Sequence, residues 1–424
     1  MKTKIASEIL SNSSVLTKSS ISSATNSTSS DTVASSGAVK TSYDLANTAK
    51  TAAATAQTAA NTAQTKADSA YTLADSAIYP DAYWRPSLFT TAKTSVTLPS
   101  GMRVVIGGKQ YSIGQNVTLK LSTLGAASTY TGKDVYIYAC APTSGTSFTP
   151  VLSLNSTVPT GYTASNSRKI GGFHCLCAAV GTISGHSLTG FAAGNILPLS
   201  PWDLRHRPVS DAEGMVWIKG INKWVDIYLP SWNGSKFISA FGATIADGAS
   251  ATKFNGERFA EYAPTSNKIL CSRDEFIYFA KGSNEGTQIS TGADPGTTGG
   301  HTDTAGRRMI SNYGLEDCCG ALWQWSREYF EDTPGSTWNG SDGTVETPNF
   351  YLSGYAWNNY SVYNANYDAQ EFGSCHGFLR RLLLGGDWID GAHCGSRCSN
   401  CHCFSSGGWS SNSARLVSEP LSQF

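Results

Sequence analysis

The chain has few charged residues and no surplus of either sign. Lys and Arg together number 31, as do Asp and Glu, and charged residues make up 15% of the 424. Such a chain has no basic field that would collect nucleic acid or an anionic membrane surface. It also contains no apolar run near the roughly 18 residues that a membrane-spanning helix needs. We therefore expect no nucleic-acid partner and no membrane insertion.

A secretory signal is also missing. The chain begins with the basic run Met1-Lys2-Thr3-Lys4, but polar residues follow where a signal peptide would have its apolar core. This pattern predicts synthesis in a cytoplasm, without export by that route.

Methionine is scarce, whereas glycine and large aromatic residues are abundant. The chain has 4 Met, 42 Gly, 19 Tyr and 11 Trp. This composition favours turn-rich β structure with aromatic surface anchors over a helical bundle. The length is typical of two or three domains.

The eleven cysteines do not follow a disulfide framework. Their number is odd and their spacing irregular, and four lie between Cys394 and Cys403. Small secreted domains spread paired cysteines more evenly. We expect most of these side chains to be reduced thiols.

The N-terminal part predicts an arm followed by a coiled-coil stalk. Residues 1–42 are rich in Ser and Thr and bury too little surface to fold alone, so they form a disordered or partner-bound arm. Residues 48–75 then repeat every seven residues, with Ala49 and Ala52 opening two rows at alternating spacings of three and four. We expect a homotrimeric coiled-coil stalk over residues 43–79, whose helix ends near Ala77 because Tyr79-Pro80 follows. A single alanine-rich linker helix is the alternative.

The next segment predicts a β-rich middle domain over residues 80–205. A hairpin is expected where Val104-Val105-Ile106 meets Gly107-Gly108, and further strands at Asp134–Ala141 and Gly171–Cys177. His174 lies beside Cys175 and Cys177, but a half-buried strand with small thiols explains this grouping better than a metal site does.

Residues 206–424 form the third predicted domain. Met215–Leu229 is expected to be a hairpin that turns at Gly220-Ile221-Asn222, and Ser272 to cap a short helix with acidic residues in its first turn. Residues 281–305 and 331–350 are polar and predict loops. Tyr355–Tyr367 has the Tyr, Asn and Trp content of antibody paratopes.

The last forty residues combine a regular motif set with an unusual filling. Gly385, Gly386 and Trp388, then Gly395-Ser396-Arg397 and Ser413-Ala414-Arg415, surround a mixture of Asp, Ile, Ala, His, Cys, Asn and Phe. Neither a packed core nor one reaction mechanism requires that mixture. It is typical of a fixed scaffold that displays a variable surface, and so of binding rather than catalysis.

These motifs carry a family resemblance over about residues 210–424. The order Gly320–Trp325, Leu384–Trp388, Gly395–Arg397 and Ser413–Arg415 resembles the C-type-lectin-like fold of formylglycine-generating enzymes and of the variable proteins of diversity-generating retroelements. Among the latter it is most similar to trimeric phage tail-fibre receptor-binding proteins. The resemblance implies a multidomain chain with an alanine-rich trimeric coiled coil, an all-β middle domain and an α+β C-type-lectin-like head.

The resemblance also implies how the surface varies and what it binds. Such proteins diversify at adenines of AAC-type codons, which cannot yield Lys, Glu, Gln, Met or Trp. Between Gly386 and Gly407 only Trp388 belongs to that set. The variable region would span about 385–415 and would bind a bacterial surface protein or glycan non-covalently, without cofactor or metal. The predicted contact residues are Asp387, Ile389, Asp390, Ala392, His393, Cys394, Cys398, Asn400, Cys401, His402, Cys403, Phe404, Trp409, Tyr360 and Tyr363.

Three site chemistries compete with a binding surface. Cys398-x-x-Cys401 is half of a zinc site, but no second spaced pair follows it. A formylglycine-generating oxidase needs two cysteines, and the resemblance puts Cys394 near the second position but Asp390 near the first. Ser396, His393 and Asp390 could form a hydrolytic triad only if their side chains were aligned by hydrogen bonds.

Other residues of the motifs are expected to be structural. Trp388 would anchor the core beneath the surface, Arg397 and Arg415 would donate to loop carbonyls, and Trp323 and Trp325 would pack. The sequence therefore predicts a phage or prophage tail-fibre adhesin at the fibre tip of a virion, joined to other tail proteins through its N-terminus. A surface-displayed variable protein of a cell is the other binding-protein hypothesis.

Overall fold

The computed structural model describes residues 21–22, 33–75, 87–332, 338–339, 344–345, 350–352, 355–357, 380–400, 403 and 405–421. The chain divides into two compact units, residues 1–80 and residues 81–424. Strands outnumber helices throughout the described part, in agreement with the mostly β architecture that the composition predicts.

The first unit is dominated by helix α1, Ser36–Asp75, which is 40 residues long. Strands β1 (Ile21–Ser22) and β2 (Val33–Ala34) pair in parallel before it. The Ser35 hydroxyl accepts the Ala38 amide at 3.1 Å and so caps the helix. The predicted helix is confirmed, but it begins earlier than expected: residues 36–42, assigned above to the arm, form its first turns.

The second unit begins with the sheets of the predicted middle domain. Their strands are β3 (Thr90–Ala92), β4 (Ser95–Leu98), β5 (Arg103–Ile106), β6 (Lys109–Ser112), β7 (Val117–Lys120), β8 (Asp134–Cys140), β9 (Thr149–Ser153), β10 (Ser167–His174) and β11 (Trp202–Asp203). The sheets have the orders β3-β4-β7, β5-β6 and β11-β10-β8-β9. The β5–β6 hairpin is confirmed, with positive φ at Gly107 and Gly108.

The remaining elements belong to the predicted head. They are β12 (Met215–Ile218), β13 (Lys223–Asp226), β14 (Ser231–Trp232), β15 (Phe237–Ile238), α2 (Gly256–Tyr262), β16 (Ile269–Leu270), α3 (Arg273–Phe279), β17 (Trp323–Asp332), β18 (Trp338–Asn339), β19 (Thr344–Val345), β20 (Phe350–Leu352), β21 (Tyr355–Trp357), β22 (Arg380–Leu384), β23 (Ser399–Asn400), β24 (Asn412–Ala414) and β25 (Leu416–Ser418). The larger sheets have the orders β12-β13-β25-β16 and β21-β20-β17-β22-β23, with β24 pairing parallel to β17.

Two local predictions in the head are confirmed. Strands β12 and β13 pair antiparallel around a turn that places Asn222 in the left-handed region, at φ 52°. Helix α3 begins with a capping box, in which the Ser272 hydroxyl accepts the Glu275 amide and the Glu275 carboxylate accepts the Ser272 amide.

The middle segment and the head share a hydrophobic core. Leu176, Cys177 and Leu197 pack in one buried cluster with Val216 and Phe276. The predicted boundary between residues 205 and 206 therefore lies inside a single compact unit, and the middle sheets support the head directly.

Candidate functional site

The C-terminal motif residues form a hairpin, and the two ends of its loop lie next to each other. Strands β22 and β23 pair through Leu383 with Asn400 and Leu384 with Ser399. At the base of the loop the Gly385 amide donates to the Cys398 carbonyl at 3.0 Å. Residues 387–404 are called the display segment below.

The Gly-Gly motif is required by the turn out of β22. Gly385 and Gly386 have φ values of 93° and 82°, which L side chains rarely adopt. A Cβ on Gly385 would lie 2.5 Å from the Cys318 carbonyl oxygen, and one on Gly386 would lie 2.9 Å from Cys394 Sγ. Only glycine lets the chain turn this close to its neighbours.

The carboxyl groups of the first turn accept backbone amides of the turn itself. Asp387 Oδ1 accepts the Ile389 amide at 3.0 Å, and Asp390 Oδ2 accepts the Asp387 amide at 2.7 Å. Asp387 is only 6% exposed. Burial, reinforced by the neighbouring Asp390 charge, raises the pKa of Asp387 to about 7. These hydrogen bonds stabilise the backbone of the turn.

The outer surface of this turn is formed by predicted contact residues. Ile389 is 73% exposed, the largest exposed fraction of any large hydrophobic side chain in the described residues. Ala392 and His393 are exposed, and Asp390 and Asn400 are half-exposed. Trp409, which follows the display segment, is 41% exposed. The hairpin thus brings several of the predicted residues to the surface.

Three predicted contact residues are not at the surface. Cys394 and Cys398 are fully buried, and Asp387 is nearly so. Cys394 Sγ donates to the Asp387 carbonyl at 3.3 Å, and Cys398 packs with Trp325 and Leu383 in a core cluster. Burial raises the pKa of the Cys394 thiol. Their placement on the exposed surface was therefore wrong, because these side chains fill the space beneath the loop.

Of the other predicted contact residues, one is half-buried and five lie outside the described part of the chain. Cys403 is half-buried against the cluster that contains Cys398. Five predicted residues lie outside the described part of the chain: Tyr360, Tyr363, Cys401, His402 and Phe404.

Arg415 has the structural role that the sequence predicts. It is fully buried, and its guanidinium donates to the carbonyls of Asp226, Ile227 and Glu316 and to the Gln324 side chain, at 2.6–3.1 Å. Trp323 and Trp325 are buried, and Trp388 packs against a core cluster. Arg397 is half-buried, and its predicted carbonyl contacts stay a prediction.

The described residues do not assemble a hydrolytic triad or a metal site. The Ser396 hydroxyl oxygen is buried without a hydrogen-bond partner, so His393 does not activate it. Within the described residues no three His, Cys, Asp or Glu side chains are close enough to hold a metal ion. None of the nine cysteines described is in a disulfide. His174 is a buried strand residue whose ring contacts Asp134 and Tyr228.

Three residues that the sequence analysis overlooked hold the backbone of this region. The Gln288 side chain accepts the Gly391 amide at 2.8 Å, and the Glu285 carboxylate accepts the Ser396 amide at 3.1 Å. The Asn255 side chain donates to the Ser406 carbonyl at 2.9 Å. No local motif marks them, because each lies more than a hundred positions before the residue that it contacts.

Comparison with known proteins agrees with this arrangement. The family model described as "Mtd second domain" matches residues 86–203. The "Tail fiber receptor-binding protein" of Bordetella phage BPP-1 is 30% identical over 296 residues, which are 64% of this chain and 74% of that protein.

Solved structures give the same result. The U1 and M1 variants of the major tropism determinant each superpose with a TM-score of 0.58 at 26% identity, covering 82% of this chain and 86% of theirs. In the described residues, no helix is both long and apolar enough to cross a membrane.

These relatives are receptor-binding or tropism-determining proteins and not enzymes, which places the chain apart from the formylglycine-generating oxidases that share some of its motifs. The resemblance drawn from the C-terminal motifs is confirmed. The chain belongs to the family of phage tail-fibre receptor-binding proteins that includes the major tropism determinant.

Proposed function

We propose that this protein forms the tip of a phage or prophage tail fibre in the virion and binds a bacterial surface protein or glycan through its display segment. The observation that carries the proposal is the position of Ile389, which is exposed on a turn whose carboxyl groups accept its own backbone amides. An exposed apolar side chain on a fixed backbone supports a contact surface. The chain's relationship to a phage receptor-binding protein supplies the biological setting.

The contact surface is formed by the exposed members of the predicted set. Ile389, Ala392, His393 and Trp409 are its described core, with Asp390 and Asn400 at its edge. Cys401, His402, Phe404, Tyr360 and Tyr363 remain part of the proposal. Codon randomisation at adenines would vary the exposed positions, whereas Cys394 and Cys398 serve the lectin-like fold of the head.

Helix α1 supports a trimeric stalk at the N-terminal, tail-proximal end. Ala49, Ala52, Ala56 and Ala59 are exposed along one face, and Leu45, which continues the same face, is 68% exposed. Apolar residues at heptad spacing on a solvent-exposed helix favour association with further copies. Three heads on one fibre raise the apparent affinity through effective concentration, by about 10²–10⁴.

Receptor binding is tested with two apolar-to-acid variants. Ile389→Asp changes the proposed surface, and Val105→Asp changes an exposed valine of the β5–β6 hairpin, 47% exposed. Binding of purified protein to host cells and its competition with phage adsorption are measured. We expect the Ile389→Asp protein to bind host cells at least tenfold more weakly than the parent. The Val105→Asp protein should bind as tightly as the parent. Equal behaviour of the two variants would contradict the proposal.

The trimer is tested by sedimentation of the full chain, whose single-copy mass is 45.0 kDa. Ala56→Asp puts a carboxylate in the heptad face, and Ala54→Asp puts the same group on the opposite face of the helix. We expect three times the single-chain mass for the parent and for Ala54→Asp, and a smaller assembly for Ala56→Asp. A parent that sediments as a monomer would overturn the trimeric stalk.

Diversification is tested by sequencing codons 350–424 and the flanking DNA in a population of the source phage or lysogen. We expect substitutions between codons 387 and 410 with a nearby template copy that differs at adenines. A uniform sequence without such a template would remove diversification from the proposal and leave receptor binding to the adsorption experiment.

A further inference from the structure

We infer that Glu285, Gln288 and Asn255 act as a clamp that fixes the backbone of the display segment at residues 391 and 396 and, just after the segment, at residue 406. The clamp would do so whichever side chains the exposed positions carry. This inference deepens the proposed function, because it assigns the positioning residues of the same surface. It stands on the hydrogen bonds between these three side chains and the loop, together with the exposure of the loop's own side chains.

The hydrogen bonds that define the clamp go to backbone atoms. Glu285 and Gln288 accept amide protons of Ser396 and Gly391, and Asn255 donates to the carbonyl of Ser406. Backbone amides and carbonyls are present for every residue type except proline, which lacks the amide. A substitution that avoids proline therefore leaves the contacted groups unchanged.

Backbone hydrogen bonds extend the same principle around the loop. The Gly286 amide donates to the Cys394 carbonyl at 2.8 Å, the Gly248 amide to the Trp409 carbonyl at 3.1 Å, and the Glu257 amide to the Ser405 carbonyl at 3.3 Å. The Gly320 amide lies between the Gly385 and Gly386 carbonyls, at 3.2 and 3.1 Å. The loop is thus held at points spread along its length by segments that are distant in sequence.

The points of attachment alternate with the exposed side chains. Gly391 is held by Gln288, while Ile389 before it and Ala392 and His393 after it are exposed. Cys394 is then held through its carbonyl and is buried. Within a few residues of each other, some positions therefore hold the fold and others form the contact surface.

The clamp residues suit this role chemically. Glu285 accepts through both carboxylate oxygens, at 3.2 and 3.1 Å from the Ser396 nitrogen, and a charged acceptor strengthens the bond. Asn255 uses its oxygen to cap helix α2, by accepting the Arg258 amide at 2.9 Å, and its nitrogen to hold Ser406. One asparagine thus ties the loop to a helix N-terminus.

The two functions of Asn255 can be separated by one substitution. Asn255→Asp keeps the oxygen that caps α2 but removes the donor to Ser406, and it brings a carboxylate oxygen towards the carbonyl. Gln288→Glu, in contrast, keeps an acceptor for the Gly391 amide, whereas Gln288→Ala removes it. These pairs distinguish loss of the clamp from loss of the surrounding fold.

The experiment is hydrogen exchange of the full-length protein without receptor. We expect Gln288→Ala to speed exchange of the Gly391 amide, and Glu285→Ala that of the Ser396 amide, by at least tenfold. Gln288→Glu should stay within threefold of the parent at Gly391. Asn255→Asp should speed exchange of the Gly248 amide, which donates to the carbonyl of residue 409, and of the Glu257 amide, which donates to the carbonyl of residue 405. Unchanged exchange in β8 shows that each effect is local.

The same measurements are repeated with the exposed residues changed together, as Ile389→Ser, Ala392→Asn and His393→Tyr. We expect exchange at Gly391 and Ser396 to remain within threefold of the parent, and the clamp variants to cause the same acceleration in this background. The inference is overturned if the triple change alone loosens the loop as much as Gln288→Ala, or if the clamp variants change nothing. Because no receptor is present, failure of the adsorption experiment would leave this result intact.

Discussion

The outer side chains of the display segment and the residues beneath it are neighbours in sequence but respond to different constraints. Ile389, Ala392 and His393 are exposed, whereas Gly385 and Cys394 are buried within a few residues of them. The side chains of the outer group are exposed to solvent, so we expect their chemistry to change without altering the backbone. The inner group is fixed by steric contact and hydrogen bonds. One continuous segment therefore contains both exposed positions that can vary and buried positions that hold the fold.

The largest loss is expected from Arg415→Met, which removes the buried guanidinium. Three carbonyls and the Gln324 side chain would lose their donors, at a cost of about 3–5 kcal/mol of unfolding free energy. Urea unfolding measures the change. Arg103→Met, at an exposed arginine of β5, is the matched control and should stay within about 0.5 kcal/mol. Equal midpoints for both variants would contradict the structural role of Arg415.

Gly385→Ala is expected to be the next most damaging change. The new Cβ would occupy a left-handed position 2.5 Å from the Cys318 carbonyl oxygen, and we expect a loss of about 2–4 kcal/mol. Gly114→Ala is the control, because a Cβ there meets no atom within 4 Å and its φ is not positive. Equal unfolding midpoints for the two alanine variants would show that the turn tolerates a side chain.

Asp387→Asn should change the pH dependence of stability. The folded-state pKa of Asp387 is raised to about 7, above the unfolded value of about 3.9, so the folded protein holds a proton that the unfolded chain releases between these values. This contribution to stability is present at low pH and is lost as pH rises through about 7. Asn removes it but keeps an oxygen for the Ile389 amide.

The measurement is the unfolding free energy of the Asp387→Asn variant relative to the parent at pH 5 and pH 8. We expect the variant to gain about 1–3 kcal/mol relative to the parent between the two values. Glu261→Gln, an exposed carboxyl on helix α2, is the control and should show no such gain. If the difference in unfolding free energy between variant and parent were the same at both pH values, Asp387 would not hold a proton in the folded state.

The smallest effect on stability is expected from Ile389→Ser. Its side chain is 73% exposed, so the unfolding free energy should stay within about 0.5 kcal/mol of the parent. The same variant should bind host cells more weakly, because we expect the exposed side chains to contact the receptor and not to stabilise the fold. A loss of several kcal/mol in unfolding would instead place Ile389 in the fold.

Elements specified by neighbouring residues could be predicted from the sequence. The turn at Asn222, the Gly107-Gly108 hairpin and the Ser272 capping box each depend on a few adjacent residues whose conformational preferences agree with the fold. The structural role of Arg415 was also predictable, because a motif arginine with five donors suits buried carbonyls.

The division of the display segment could not be predicted in the same way. An irregular loop has no period of 2 or 3.6 that assigns alternate residues to a buried face. Cys394 and Cys398 therefore resembled His393 as candidates for the surface, although both are buried. Glu285 and Gln288 lay in a segment predicted only to be a polar loop, and their role depends on residues about a hundred positions away.

The amino-acid sequence alone was enough to predict the long heptad helix, the mostly β architecture, the main hairpins and the family to which the chain belongs. These properties arise from local preference, from repeated spacing and from an ordered set of motifs. The exposure of each described residue between 387 and 403, and the distant side chains that hold this segment, became known from the three-dimensional structure. Burial and hydrogen bonding in an irregular loop depend on the segments packed against it, and no local rule specifies those segments.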